Sequence, residues 1–444
     1  MNSDNIELEK IPDNYDQDDL FFELDTFESK QELNKNVTKK EDNTIKILFS
    51  GKKNWKNLRK KDEISTDEIS SNICEEEVLK EFLLSSFKIE NLIVLAGSGT
   101  SLGNIVKGPS MSTLWKSLSN IANFDKINKI IKYYGENIEE FLSLCEAYIQ
   151  LDLKYSKKVQ SFIQDAKAEI IKKCSFVMTE DSLKGHINFL SKLAKRNKKL
   201  PRLKLFTTNY DLCFEKASSL LDYVVVDGFS YTSERAYNPT LFKYDMVRRE
   251  KNAENHGEYL AGVIHLYKIH GSVNWGYKRH KINTGNSDEK ILNLNYVYQI
   301  EPKENKDPCF IYPAKGKYQQ SYVQPFLDLI SQFFSSLREP NTCLVVVGFG
   351  FNDDHLSEPT FSAIKNNPNL KAIIVDPFAE NCVKDKEKIY WKKFYELCQD
   401  GYDISFINSD FQNFSKLIPD LKGYNKFEKL GREILLNGDY RSEY

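Results

Sequence analysis

The sequence lacks several features that would place it in a common class of proteins. A membrane span needs about 18 consecutive apolar residues, and no stretch of the sequence approaches this length. The acidic N-terminal stretch has no apolar run typical of a secretory signal. Lys and Arg (62) nearly balance Asp and Glu (64), so the net charge of −2 gives no basic surface for nucleic acid. We therefore expect a cytoplasmic protein that binds neither membranes nor nucleic acid directly.

Cysteine pairs with metal-ligand spacing are also missing. The eight cysteines are scattered, and the closest two in sequence are Cys382 and Cys398. Structural zinc sites usually contain Cys-x-x-Cys pairs, and small secreted domains contain a dense disulfide framework. The sequence therefore predicts no metal site and reduced thiols.

The chain does contain a series of short apolar runs typical of fully buried strands. They lie at residues 92–96, 204–206, 224–226, 263–269, 344–347, 372–375 and 404–407. Helical patterns separate several of them, as at 138–149 and 326–337. Buried strands that alternate with helices indicate a parallel sheet covered on both faces. The predicted fold class is α/β, a doubly wound (Rossmann-like) parallel sheet.

The same patterns suggest three regions. Residues 1–75, rich in Asp, Glu, Asn and Lys, predict a poorly ordered or partner-binding extension, although a peripheral helix packed on the main body fits as well. Residues 76–420 form the predicted main domain, with an inserted helical subdomain at about 111–200, where only helical patterns occur. The polar stretch 277–307 predicts a surface excursion. Residues 421–444 predict a C-terminal helix and tail, with Leu430, Ile434 and Leu435 at helical spacing.

Two glycine-rich segments directly follow predicted strands. Glycines at such positions let backbone N–H groups approach the phosphates of a ligand, although many such segments are only tight turns. The second segment follows the strand at 344–347 and contains Asn352. The side chain of Asn352 could bind a ribose hydroxyl or cap the next helix. The candidate ligand-binding residues are Gly97, Ser98, Gly99, Thr100, Ser101, Gly348, Gly350 and Asn352.

Four polar residues follow other strands of the predicted sheet. Asn209 and Asp211 come after the strand at 204–206, and either could instead cap the next helix. His270 follows the strand at 263–269 beside Gly271, and imidazole is a base near neutral pH. Asp376 ends the strand at 372–375, where a carboxylate suits ribose hydroxyls or a plain turn. Because parallel strands end at one edge of the sheet, we expect these residues to converge there.

The ordered set of motifs resembles the sirtuin superfamily from about Leu92 to Asp376. Residues 97–101 resemble its Gly-Ala-Gly-x-Ser loop, residues 208–211 its Gln-Asn-x-Asp segment, and residues 270–271 its His-Gly. The two Cys-x-x-Cys pairs that hold zinc in protein-deacylating sirtuins are absent. Residues 207–211 and 351–355 look instead like those of the bacterial sirtuin-like NAD hydrolases of anti-phage defence.

This resemblance implies cleavage of NAD to nicotinamide and ADP-ribose, without a metal, and depletion of NAD during infection. It implies that Asn209 orients the ribose and the attacking water, that His270 is a general base, and that Asp211 supports Asn209. Residues 97–101 would cradle the pyrophosphate and Asp376 would hold the adenosine ribose. The implied partners are further copies of the chain and a HerA-type ATPase or a phage trigger. An NAD-dependent deacylase, a cyclase and a non-catalytic NAD or ADP-ribose sensor remain alternatives.

Overall fold

The computed structural model describes residues 45–60, 72–103, 105–197, 199–248, 258–282, 292–305, 307–313, 321–421, 430, 431, 434 and 436. Twelve α-helices lie in these residues: α1 (Glu76–Phe87), α2 (Met111–Ser119), α3 (Phe124–Ile131), α4 (Ile138–Gln150), α5 (Ser156–Cys174), α6 (Glu180–Leu193), α7 (Cys213–Leu220), α8 (Phe326–Ser336), α9 (Asp354–Asn366), α10 (Ala379–Cys382), α11 (Ile389–Gln399) and α12 (Phe411–Leu417). None of these described helices is long and apolar enough to cross a bilayer.

The strands of the described residues form one large sheet and two small ones. They are β1 (Lys46–Leu48), β2 (Lys56–Arg59), β3 (Ile73–Glu75), β4 (Asn91–Ala96), β5 (Leu203–Thr207), β6 (Val224–Val226), β7 (Val247–Arg248), β8 (Glu258–Tyr259), β9 (Val263–Lys268), β10 (Gly271–Ile282), β11 (Leu292–Gln299), β12 (Pro308–Phe310), β13 (Thr342–Val347), β14 (Leu370–Asp376) and β15 (Ile404–Asn408). The ten-stranded sheet has the order β3-β2-β1-β15-β14-β13-β4-β5-β9-β6.

Seven strands of the large sheet, from β15 to β6, are parallel, and they match the seven predicted strands. The central strands β4 and β13 are buried along their whole length. Such strands are apolar at successive positions because helices cover both faces of the sheet. The predicted doubly wound α/β class is confirmed.

Side chains along each strand alternate between two hydrophobic layers. In β4, Ile93 and Leu95 belong to one layer, whereas Leu92 and Val94 belong to the other. The first layer includes side chains of α8, α9 and α11, and the second includes side chains of α1, α6, α7 and α12. Both faces of the sheet are therefore covered by helices.

Helices α2 to α5 pack around a separate hydrophobic cluster, which also includes Val273, Phe310 and Tyr312. Its aromatic members Trp115, Phe124, Phe141 and Phe162 contact one another at ring-centroid distances of 5.3–6.2 Å. The fifth helix of the predicted subdomain, α6, instead packs on the sheet. The helical insertion therefore consists of α2 to α5 and is shorter than the predicted 111–200.

Two stretches differ from the sequence-based expectations. Strand β1 pairs antiparallel with β15 and with β2, so residues 46–59 and 73–75 belong to the large sheet rather than to an extension reaching residue 75. Residues 1–44 and 61–71, and most of the predicted C-terminal helix and tail, lie outside the described residues. The polar stretch 277–307 contributes to the antiparallel strands β10 and β11, in which apolar residues alternate with polar ones instead of forming a continuous run.

Candidate active site

A cavity of about 250 Å³ lies where the strand order of the sheet reverses. The chain passes from β4 to β5 on one side and later returns to β13 on the other side of β4. Ligands of doubly wound folds bind at such a switch point, beyond the carboxyl ends of the strands. The lining includes residues after β4, β5, β9 and β13 together with residues of the helical insertion, among them Met111, Leu114, Glu139 and Cys174.

The two glycine-rich loops touch each other beneath this cavity. A Cβ atom on Gly97 or Gly99 would lie 2.6 Å from backbone atoms of Gly348, closer than real Cβ contacts. Gly348 itself has φ +61° and would meet the backbone of Gly99 at 2.7 Å. These three glycines are therefore required by the contact between the loops, a reason that the sequence pattern did not reveal.

The backbone N–H groups of the first loop are engaged within the protein. Gly99 donates to the carbonyl of Gly348 at 2.8 Å, Thr100 to that of Gly97 at 3.1 Å, and Ser101 to that of Ser98 at 2.9 Å. In the second loop, the N–H groups of Phe349, Gly350 and Asn352 have no acceptor among the described residues. The second loop is thus the one with backbone donors available for an anionic ligand.

Asn209 is held at the cavity by the hydroxyl groups of the first loop. It is 7% exposed, and its Nδ2 donates to Thr100 Oγ1 at 3.0 Å and to Ser101 Oγ at 3.1 Å. Its backbone N–H donates to Thr207 Oγ1 at 3.1 Å. Asn209 therefore does not cap α7, and its amide has a fixed orientation in the cavity wall.

His270 lines the same cavity and pairs with a second histidine. The Nε2 atoms of His270 and His355 are 3.0 Å apart, and the rings lie at 22° with centroids 5.1 Å apart. Both side chains are buried, with 3% and 5% exposure. His355 was not among the predicted site residues, although it follows the second glycine-rich loop by a few residues.

The loop that carries Asn209 is braced by a buried lysine. Lys268, 2% exposed, donates to the carbonyls of Tyr210 and Asp211 and forms an ion pair with Glu215 at 3.0 Å. Burial raises the pKa of Glu215, and the lysine beside it opposes that rise. Asp211 accepts the N–H of Cys213 at 3.0 Å, which forms a turn that leads into α7, whose N-cap residue is Leu212.

The cavity lining contains several acidic side chains. Three carboxylates line the cavity, those of Glu139, Asp211 and Asp353, whereas no lysine or arginine does so in the described part of the chain. Tyr210, also in the wall, donates its hydroxyl to the carbonyl of Ile311 at 2.6 Å, and burial raises its pKa well above the usual value. This environment favours a ligand group that carries or develops positive charge.

The structure brings most of the predicted site residues together. Asp376 is the main exception, because it does not line the cavity and its carboxylate accepts the N–H of Phe378 at 2.8 Å, as in a plain turn. Gly97, Gly99 and Thr100 lie behind the wall and support it. The predicted residues in the lining are Ser98, Ser101, Asn209, Asp211, His270, Gly348, Gly350 and Asn352.

The contribution of the helical insertion to the cavity was missed from the sequence, since nothing in its helical pattern marks Glu139 or Met111 as site residues. All eight cysteines are free thiols. Among the residues that the structure describes, no group of three His, Cys, Asp or Glu side chains is arranged to hold a metal ion.

Comparison with known protein families gives a match in the part of the chain that contains the residues after β5, β9 and β13. Residues 204–397 match the model of the SIR2-like domain. This segment is just under half of the chain and includes Asn209, His270 and His355. The match supports the sirtuin superfamily. No curated protein matches the chain.

Solved sirtuin structures resemble the chain only loosely. A Sir2 homolog–NAD complex is 14% identical, with 80% of this chain and 94% of that chain covered and a TM-score of 0.34. A Sir2 with a deacetylated p53 peptide and 3′-O-acetyl ADP-ribose is 14% identical, with 76% and 96% covered and a TM-score of 0.34. A structure on sirtuin substrate affinity is 14% identical, with 78% and 99% covered and a TM-score of 0.33.

Proposed function

We propose that this chain binds NAD at the cavity and hydrolyses the bond between nicotinamide and ribose, releasing nicotinamide and ADP-ribose. The observation that carries the proposal is the meeting of Asn209 and His270 at the switch point of the sheet. The two side chains follow different strands, are buried, and line one cavity. A buried amide and a buried imidazole in one wall suit the orientation and deprotonation of a water molecule.

The charge of the wall supports cleavage of this bond. Nicotinamide leaves NAD as a neutral molecule, so the positive charge of its ring passes to the ribose in an oxocarbenium-like state. The carboxylates of Glu139, Asp211 and Asp353 favour that charge, and no lysine or arginine among the described lining residues opposes it. The site thus stabilises charge where it develops.

Within this proposal, Asn209 orients the ribose and the attacking water because its Nδ2 is fixed by Thr100 and Ser101. His270 accepts a proton from the water or from a ribose hydroxyl. Asp211 supports the loop of Asn209 through its contact at the start of α7. None of these roles needs a metal ion.

The anionic half of NAD needs donors outside the acidic wall. We assign the pyrophosphate to the second glycine-rich loop, where the N–H groups of Gly350 and Asn352 have no acceptor among the described residues. Gly97, Gly99 and Gly348 keep the two loops in contact, and Ser98 and Ser101 line the wall. Asp376 stays assigned to the adenosine ribose by the resemblance alone, because it lies outside the cavity lining and its carboxylate accepts the N–H of Phe378.

Protein deacylation is the second candidate. It would use the same NAD site but needs a groove for an acyl-lysine peptide. The chain lacks the two Cys-x-x-Cys pairs that shape this groove in the deacylating sirtuins it resembles. A non-catalytic sensor would not need both Asn209 and His270 in the cavity wall. Hydrolysis is therefore preferred over both.

Variants of the two central residues test the proposal. We expect Asn209→Ala and His270→Ala each to lower NAD cleavage by about 10²–10⁴-fold, the usual contribution of a general base or of a positioned group. The matched control is His265→Ala, a buried histidine on β9 that does not line the cavity. NAD cleavage within a few-fold of wild type in Asn209→Ala or His270→Ala, with the fold intact by circular dichroism, would overturn the assignment.

We further propose that cleavage is kept low in the cytoplasm until an assembly forms, because an unregulated NAD hydrolase would kill its own cell. Further copies of the chain, a HerA-type ATPase or a phage trigger would supply the signal in anti-phage defence. The test compares the full chain with one that lacks residues 1–44, a cut that leaves β1 intact. Light scattering and NAD turnover should both change. A fully active monomer unaffected by the deletion would contradict this regulation.

A further inference from the structure

His355, the residue that contacts His270, has no role in the proposed reaction as described above. His355 is the second residue of α9, directly after the glycine-rich loop that follows β13. Its Nε2 atom meets the Nε2 atom of His270 at 3.0 Å, within hydrogen-bond distance, and both side chains are almost completely buried. The two histidines therefore join the strand ends of β9 and β13 across the site.

The contact constrains where protons lie on the two rings. Two ring nitrogens form a hydrogen bond only if one carries a proton and the other does not. The pair therefore excludes the state in which both Nε2 atoms are protonated. A change in the protonation of one Nε2 atom therefore makes or breaks the hydrogen bond to the other ring.

The N-terminus of α9 favours a neutral ring for His355 over a positively charged one. His355 lies in the first turn of α9, a helix of 13 residues, where the positive end of the helix dipole disfavours a protonated ring. His270 is outside that helix and follows β9. When the pair holds an extra proton, the favoured arrangement therefore has Nε2–H of a protonated His270 donating to the unprotonated Nε2 of a neutral His355, and Nδ1 of His270 is the nitrogen that then releases the proton. That arrangement selects the tautomer of His270 in which Nδ1 is the basic nitrogen.

We propose that His355 is a positioning residue that holds the ring and the tautomer of His270 for proton transfer. This inference rests on the proposed function, in which His270 is the general base. The bond also stabilises the imidazolium that forms when His270 takes up a proton, because Nε2–H of that ring remains a donor to His355. His355 itself does not line the cavity, so its effect on the reaction passes through His270.

Kinetics of three variants test the role of His355. We expect His355→Ala to lower kcat by about 10- to 100-fold, less than removal of the base itself, with a smaller change in KM. His355→Gln should recover part of this loss, because its Oε1 accepts a hydrogen bond near the position of the ring Nε2. Glu358→Gln, an exposed change one turn along α9, should behave like wild type.

The pH dependence of kcat gives a readout that a purely structural role would not move. We expect its acidic limb, which reports protonation of the general base, to shift to lower pH in His355→Ala and less so in His355→Gln, because loss of the acceptor removes a hydrogen bond that stabilises the His270 imidazolium. The other ionisable groups that line the cavity stay in place in all these variants, and they are Glu139, Cys174, Tyr210, Asp211 and Asp353.

Imidazole ¹⁵N NMR separates this inference from the proposed function, because it needs no turnover. The chain has only six histidines, so their ring signals can be assigned by substitution. We expect the His270 signals to show one dominant tautomer in wild type and a mixture in His355→Ala. Unchanged His270 signals, or a kcat and pH profile of His355→Ala equal to those of wild type, would overturn the role of His355 even if NAD cleavage were confirmed.

Discussion

A buried histidine next to the site should make this protein sensitive to mild acid. His186 on α6 is fully buried, and neither ring nitrogen has a hydrogen-bond partner among the described residues. Its ring lies edge-on to Phe214 and Phe411, each at a centroid distance of 4.9 Å. Burial lowers the pKa of His186 to about 4, and the carboxylate of Asp211 opposes this effect only in part.

The sign and size of the effect follow from proton linkage. Below the usual histidine pKa of about 6.5, the unfolded chain takes up a proton at this position that the folded protein does not take up. The free energy of unfolding therefore falls as the pH decreases from about 6.5 towards 4. Between pH 7 and pH 5, His186 alone should lower it by about 2 kcal/mol.

The variant His186→Leu isolates the contribution of His186 to the pH dependence of stability, because leucine has a similar volume and no titratable group. Urea unfolding of both proteins at pH 7 and pH 5 gives the loss of stability for each, and carboxylates common to both proteins cancel in the comparison. We expect the variant to lose about 2 kcal/mol less than wild type over this interval. Equal losses in the two proteins would refute the reasoning.

Three further predictions follow from the site. Gly348→Ala should strongly weaken NAD binding and lower the free energy of unfolding by about 1–3 kcal/mol, because the new Cβ would lie 2.7 Å from the backbone of Gly99. The control is Gly401→Ala, since Gly401 also has a positive φ but a Cβ there would have no atom within 4 Å. In denaturant unfolding, Lys268→Met should cost about 3–5 kcal/mol, whereas Lys204→Met, which removes a more exposed ion pair with Glu339, should cost at most about 1 kcal/mol. NAD cleavage should persist in EDTA, and a loss of activity that zinc restores would reveal a metal site.

The parallel sheet could be predicted from the sequence because its strands are buried on both faces. The apolar runs at 92–96 and 344–347 leave no polar residue to obscure the pattern. Strands β10 and β11 contain no continuous apolar run, because apolar and polar residues alternate along them, as at Leu292, Leu294 and Tyr296. The short edge strands β1 to β3 were hidden by their polar surroundings.

Only those site residues that directly follow a clearly marked strand could be predicted from the sequence. Asn209 and His270 were found because each follows a strand that the sequence marks clearly. The contact between the two glycine-rich loops and the pairing of His270 with His355 depend on side chains far apart in sequence. No local pattern encodes such contacts, and the same holds for Glu139, which the helical insertion brings to the cavity.

The most direct test of the central claim is the identification of products after incubation of the purified full chain with NAD. The reaction should be followed over protein concentrations that favour self-association. The account predicts nicotinamide and ADP-ribose in equal amounts, and about 10²–10⁴-fold less of both from His270→Ala in the same time. Nicotinamide accompanied by cyclic ADP-ribose in place of ADP-ribose, or equal product yields from wild type and His270→Ala, would contradict it.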